Sequence, residues 1–451
     1  MDTRRDFVAK IIVGGAAFLT SHRADAQSPT PAQATANERA HSADTVSSYP
    51  RSDALGGIRV DDPYADVDWK QFQQVVSASH VHIENQQKLD NVYHKMGLRH
   101  MPISNYYPSA PTYPIKSIRY NQYAVQQDFG LVYNPDATKP GSAKWASGHF
   151  IEGPFRWNDI LMKGPHAWSQ TLSPELQARL PFQLGDFIFK NVPDDIIVSP
   201  NAEHHGFTNA GLHACAVGSL YRSGNFDVHD DFKTQEHGYA IGTGLPWETV
   251  FKKMIDQLLF PDAGGITVNH PVWSGLSFDE VTRMLDFDPR VLGIEVFNDT
   301  AATHYGDPDK GWAVNMWDQV LATGRRCLGF FVPDHTVARG RNILLVPQFT
   351  EYECLKAYRK GAFYGAIDGS GLGFSHIRLT GARLSVAPNK ECDVLIITNL
   401  DTQRVAAGPE RPLVFDIPLT EKGVPAVSFV RAEAVDDSSE LIYSQPIRFL
   451  A

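Results

Sequence analysis

The chain is poor in cysteine, in basic charge and in long apolar runs. Four cysteines, Cys215, Cys327, Cys354 and Cys392, are scattered over 451 residues with no C-x-x-C pair. Free thiols are therefore the default reading, buried for Cys327 and Cys354, which lie in an apolar strand pattern and a helix pattern. Export would leave a disulfide open to them. Acidic residues outnumber basic ones, and the formal net charge of −10 argues against nucleic acid or an anionic membrane as the main partner. Past the N-terminus no stretch resembles a transmembrane helix, and neither an internal repeat nor a coiled-coil heptad is found. What is plentiful is ordinary: 43% hydrophobic and 11% aromatic residues mark a globular protein. The length suits a barrel-sized catalytic domain plus a smaller one.

The first 26 residues read as an export signal. Arg4 and Arg5 stand together in T-R-R-D-F-V-A-K. The apolar stretch at 11–19 is too short to span a bilayer, and Ala24-Asp25-Ala26 is a small-x-small cleavage site. The expectation is a twin-arginine signal peptide, the twin-arginine export machinery as a partner, and a periplasmic or secreted mature chain with no integral membrane segment. Such export carries folded proteins, often with their cofactor loaded. Residues 27–60, rich in Ala, Thr, Ser, Gln and Pro, read as a flexible tether.

From about 61 to 370 apolar strands alternate with amphipathic helices. P-W-E-T-V-F-K-K-M-I-D-Q-L-L-F is a helix with Pro246 in its first turn. A-G-G-I-T-V-N-H-P is a strand. S-F-D-E-V-T-R-M-L opens with a capping box at Ser277 and Glu280. V-L-G-I-E-V-F-N is the next strand. Two further helices stop at Gly324 and Gly361, the second capped at Thr350 and Glu353. The alternation predicts an α/β fold with a parallel sheet, open or closed into a barrel. Between about 110 and 191 it breaks into an insertion rich in aromatic residues, Gly and Pro. That insertion reads as a lid or pocket wall. From about 371 to 451 short alternating strands predict a small β-sandwich.

Parallel α/β folds carry their functional groups at the carboxyl ends of strands. His82, Glu203, His270, Asn298 and Asp334 all fall there. His80 and His82 close the run V-V-S-A-S-H-V-H-I. On a strand, residues i and i+2 share a face, so both imidazoles project together. Glu203 lies in S-P-N-A-E-H-H-G, His213 follows in G-L-H-A, His270 ends T-V-N-H-P, and Asp334 and His335 end F-F-V-P-D-H. A lone histidine of this kind is usually a hydrogen-bonded structural group, the reading given to His94, His100, His149, His166, His229, His237 and His304. The ordered set of imidazoles and carboxylates instead suits Zn, Mn or Fe. It is too large for one tetrahedral ion, which points to a site of two sharing a water.

The motifs S-H-V-H, P-N-A-E with G-L-H-A, G-G-I-T-V-N-H-P, G-I-E-V-F-N and P-D-H-T resemble those of the PHP (polymerase and histidinol phosphatase) superfamily of metal-dependent phosphoesterases. The tail F-V-R-A-E-A-V-D-D-S-S-E-L-I-Y-S-Q-P-I resembles an exported branch related to carbaryl hydrolase. The resemblance implies a distorted βα-barrel that hydrolyses a small-molecule phosphate ester or related bond. It implies His80, His82, Glu203, His213, His270, Asp334 and His335 as metal ligands. In the hydrolase reading His335, or a residue behind the ligands, assists the leaving group. Where the family's second motif has an Asp-His pair, this chain has Asn105 and Tyr106. One to two divalent ions are therefore expected, with Asn105, Tyr106, Asn298 and Arg339 facing substrate. Arg341 is a further candidate for an anionic group. Two alternatives stand beside this. One is an amide, carbamate or ester hydrolase of amidohydrolase type, for which Lys190 is the nearest bridging lysine. The other is a degenerate, non-catalytic binding protein.

Overall fold

The computed structural model describes residues 49–83, 86–106, 150–154, 191–225, 243–303, 306–367 and 371–450. The expected signal peptide, the tether up to residue 48, most of the 110–191 insertion and Lys190 lie outside the described residues. The chain divides into two compact units. One comprises Asp66–Val320 and Arg326–Ile367, the other Met1–Ala65, Leu321–Arg325 and Asp368–Ala451.

The first unit is mixed α/β and holds two runs of five strands. In one, Phe363–Ile367, Arg341–Val346, Gln73–Ser77, His100–Pro102 and Ile197–Ser199 lie side by side. In the other the order is Leu328–Val332, Val291–Asn298, Gly265–Val268, Ala214–Val217 and Glu203–His204. The expected parallel pairing holds from Gly265–Val268 through Val291–Asn298 to Leu328–Val332, and from Gln73–Ser77 through His100–Pro102 to Ile197–Ser199. It fails for Ala214–Val217, which is antiparallel to both its neighbours, and for Arg341–Val346. No crossover helix separates Glu203–His204 from Ala214–Val217, and a short connection can only return a strand antiparallel.

The expected distorted βα-barrel is met only as a mixed α/β arrangement, since no closed barrel is detected among the described residues. Single backbone contacts join the two strand runs where ladders would be needed. Val81 bridges Asp334, and the Glu203 N–H donates to the Ser104 carbonyl at 2.7 Å. These contacts gather the strand ends that carry His80, His82, Glu203 and Asp334.

The helices follow their sequence signals closely. Phe278–Leu285 has its full capping box, with Ser277 accepting from the Glu280 N–H and Glu280 reaching back to the Ser277 N–H. Glu351–Lys360 is capped by Thr350 and ends on Gly361 at φ 79°, the left-handed conformation that favours glycine. Trp247–Asp256 begins one residue later than predicted. Pro246 is its N-cap, and the Asn209 side chain accepts from the Trp247 N–H instead. The helix Gln86–His94 seals one end of the core by packing Leu89 and Val92 among Val81, Met101, Ile103 and Val198. Gly293 is required by close approach, because a Cβ there would lie 1.9 Å from the Leu328 carbonyl oxygen.

The second unit is antiparallel throughout. Phe429–Val435, buried along its whole length, pairs with Cys392–Thr398, Leu441–Ser444 and Ile447–Leu450. Phe374–Thr380, Arg383–Pro388 and Leu413–Asp416 form a separate sheet. The predicted strand set of the C-terminal segment is therefore present. Part of the predicted tether is not a tether: Arg51–Ser52 and Ile58–Asp61 are strands, and the latter pairs with Ile447–Leu450. The buried Arg448 guanidinium fixes that register by binding Asp61 at 2.6 Å. All four cysteines are free, with Cys215, Cys327 and Cys354 buried. Among the described residues no helix is long and apolar enough to cross a membrane.

Candidate metal centre

His80 and His82 flank Val81, whose backbone bridges pin this segment between Ile103 and Asp334. The His82 N–H donates to the Asp334 carbonyl and the Asp334 N–H to the His80 carbonyl, both at 3.1 Å. Extended backbone places both imidazoles on one side, as i and i+2 require. Their Nε2 atoms lie 3.1 Å apart. Glu203 Oε2 lies 3.1 Å from His80 Nε2 and 3.0 Å from His82 Nε2. Asp334 Oδ1 lies 3.2 and 3.3 Å from the same two atoms. These are five of the six edges of a tetrahedron of donor atoms. Edges of that length place its centre about 2 Å from each atom, the bond length of zinc to nitrogen and carboxylate oxygen. Asp334 Oδ1 is buried without a well-directed hydrogen-bond partner, a lone pair suited to a cation.

The other Glu203 oxygen faces a second group. Oε1 lies 2.7 Å from His213 Nδ1 and 3.4 Å from His270 Nε2. The antiparallel strand explains how His213 reaches this edge. It precedes Ala214–Val217, while His270 follows Gly265–Val268, and with opposite directions both fall at the same end. The Asn269 N–H ties them by donating to the His213 carbonyl at 2.9 Å. Ser274 Oγ, 3.1 Å from His270 Nδ1, aims the opposite nitrogen at Glu203. The described residues thus supply one group of four donors and two of three: Glu203 is shared by the group of four and the His213 and His270 group, and His80, His270 and Glu295 make the third. A three-donor group leaves room for water or substrate, as catalytic sites require.

Backbone strain marks the same positions. Among the described residues only His270, Asp334 and Ser439 combine a side chain with positive φ, at 25°, 59° and 65°. Two of the three belong to the donor set, and strain of this kind concentrates where function fixes a side chain.

The buried carboxylates and imidazoles perturb one another strongly. Burial opposes charge on Glu203 and Asp334, yet His80 and the neighbouring imidazoles hold both carboxyls well below their ordinary range. Burial likewise opposes charge on His80, but Asp334, Cys215, Glu203 and Glu295 keep its proton on well above the usual histidine value. His213 is displaced downward by burial and His270 upward by Glu203 and Glu295 against burial.

Six of the seven expected ligands therefore converge. The seventh, His335, lies outside all three donor groups. Its ring stacks on His82 at 3.8 Å between centroids, its side chain is 38% exposed, and the Tyr106 hydroxyl lies 3.4 Å from its Nε2. Tyr106 also contacts the His82 and His205 rings, so it borders the donor cluster. Asn105 is turned to the backbone of a neighbouring segment. Its buried amide accepts from the Ile83 N–H at 2.7 Å and donates to the Ile83 carbonyl at 3.0 Å. Asn298 donates to Glu295 at 2.9 Å and Asp334 at 3.2 Å, and accepts from the Ala301 N–H. Arg339 binds Asp299 at 2.8 Å, and the buried Arg341 donates to the Met96 carbonyl. All four are engaged with the protein itself. His100 is structural, held between Ser77 and Ser199 and pushed down to about 3 by burial.

Glu295 escapes the strand-end reading because it lies inside a strand. Its Oε1 is 2.7 Å from His80 Nδ1, and its Oε2 accepts from the His270 N–H at 2.8 Å. A carboxylate within the wholly buried Val291–Asn298 run is the signal that would find it, since a buried charge needs partners.

No family model and no curated protein matches this chain. Among solved structures it is similar to a two-domain protein from Bacteroides vulgatus containing a predicted PHP-like metal-dependent phosphoesterase. The identity is 12%, covering 86% of this chain and 98% of that one, with a TM-score of 0.35.

Proposed function

We propose that the chain is a metal-dependent hydrolase of the phosphoesterase type, working on two ions with Glu203 between them. The observation that carries this reading is the division of Glu203, one oxygen toward the His80, His82 and Asp334 group and the other toward His213 and His270. Nitrogen and carboxylate donors suit Zn, Mn or Fe. Bound ions would supply Lewis acidity and lower the pKa of a coordinated water to about 7. His80, His82, Glu203 and Asp334 would hold one ion closed. Glu203, His213 and His270 would hold the other open toward solvent and substrate. His335, partly exposed and steadied by stacking on His82, is placed to give a proton to the leaving oxygen, with Tyr106 beside it. The motif order supports a PHP-like, distorted βα-barrel ancestry, and the twin arginines with the small-x-small site support export to the periplasm or beyond. A carboxylate in the shared position also favours this reading over an amidohydrolase with a bridging lysine.

The test is a panel of aryl phosphate monoesters, diesters and an aryl carbamate, offered to chelator-stripped protein and to protein reloaded with Zn, Mn or Fe. Phosphoester cleavage that returns with metal is expected. His335→Ala should lower kcat by about 10²–10⁴-fold at unchanged metal content. Cleavage of the carbamate alone would move the assignment to the alternative chemistry, and metal binding without any turnover would make the chain a binding protein.

A further inference from the structure

Two observations meet at Glu295. The first is that its side chain reaches both donor groups from behind. Oε1 lies 2.7 Å from His80 Nδ1, the ring nitrogen opposite the one in the tetrahedral group. Oε2 accepts from the His270 N–H at 2.8 Å and from the Asn298 amide at 2.9 Å. The same Asn298 nitrogen lies 3.2 Å from Asp334 Oδ2. One buried carboxylate thus touches His80 and His270 directly and Asp334 through one side chain. The second observation is that His270 and Asp334 are the two donor residues held at positive φ.

We propose that Glu295 is a positioning residue that fixes the tautomer of His80 and couples the two ion positions, an inference that rests on the two-ion reading. His80 can present the Nε2 lone pair only when its other nitrogen carries the proton. Two groups compete for Nδ1. Asn269 Nδ2 lies 3.2 Å away, and the orientation of that amide is set because its oxygen accepts from the Cys215 N–H. Donation from Asn269 would demand the wrong tautomer. Glu295 is the closer of the two, and a carboxylate oxygen is a stronger partner for a ring N–H than a longer amide contact. The proton therefore sits on Nδ1, directed at Glu295, and Nε2 is left for the ion. Oε2 meanwhile satisfies the N–H of a strained residue, which holds the His270 ring toward Glu203. Glu295 could also serve as a donor with His80 and His270, but the contacts of its two oxygens with His80 Nδ1, the His270 N–H and the Asn298 amide assign it the positioning role here.

Glu295→Gln tests this without altering size. A glutamine keeps one acceptor and gains a donor, so it must turn its NH₂ toward either the His80 ring or the His270 and Asn298 donors. Competition with a chromophoric chelator would read zinc affinity, elemental analysis would read stoichiometry, and circular dichroism would confirm the fold. A loss of about 10–100-fold in zinc affinity with the fold retained is expected, with Glu295→Asp recovering part of it. In zinc-loaded wild-type protein, nitrogen-15 NMR of the histidine rings should show His80 protonated at Nδ1 only. Wild-type affinity in Glu295→Gln, or a His80 proton on Nε2, overturns the proposal, and the NMR result decides even if the variant fails to fold. Zinc binding by a wild-type chain that cleaves no ester would remove the hydrolase reading while leaving this one standing. A wild-type chain that binds none of Zn, Mn or Fe would end both.

Discussion

At the scale of single residues, the donor set separates by what each side chain has left to offer. His80, His82, Glu203 and Asp334 direct atoms at one another across 3.0–3.3 Å, which a protein tolerates when a cation belongs among them. Asn105 is the opposite case, with both ends of its amide given to the Ile83 backbone. Asn105→Ala should therefore cost about 1–3 kcal/mol of stability by leaving the Ile83 groups buried and unpaired. KM and metal content should stay at wild-type values in protein that folds. Denaturant melts and steady-state kinetics would show this, and a raised KM at unchanged stability would restore the substrate role. The converging donors were legible in the sequence because H-x-H, N-H-P and D-H end apolar runs, where backbone periodicity dictates direction. The backbone-clamping use of Asn105 was not, because an asparagine beside a metal motif reads the same whether its amide faces a ligand or a neighbouring strand.

At the scale of elements, the antiparallel Ala214–Val217 strand is what completes the centre. It delivers His213 from its start and not its end, so a purely parallel reading finds the residue but gives it no reason to be there. The helices were the most legible elements, since caps and periodicity are local. Strand direction was not, since it depends on pairing partners far apart in the sequence. The pairing of Val291–Asn298 with Leu328–Val332 is close enough at Gly293 to exclude any side chain. Gly293→Ala should destabilise the first unit by about 3 kcal/mol or more, at the upper end of overpacking penalties. It should also weaken metal retention, because the same strand carries Glu295 and Asn298. A variant with wild-type melting would mean that the two strands can part without cost.

At the scale of the whole molecule, the chain is two units that the sequence order does not respect. Strands Arg51–Ser52 and Ile58–Asp61 belong with the C-terminal strands, and Asp66–Val320 together with Arg326–Ile367 builds the unit with the donor cluster. Composition predicted a tether there because the stretch up to residue 60 is polar and Pro-rich on average, and an average hides two short strands held by a distant partner such as Arg448. The central claim is that Glu203 stands between two ions. Anomalous-difference crystallography at the zinc edge, on crystals grown with zinc, tests it most directly. The account predicts two peaks, one among His80, His82, Asp334 and a Glu203 oxygen, the other among His213, His270 and the second Glu203 oxygen. A single peak, or peaks that do not contact Glu203, would contradict it.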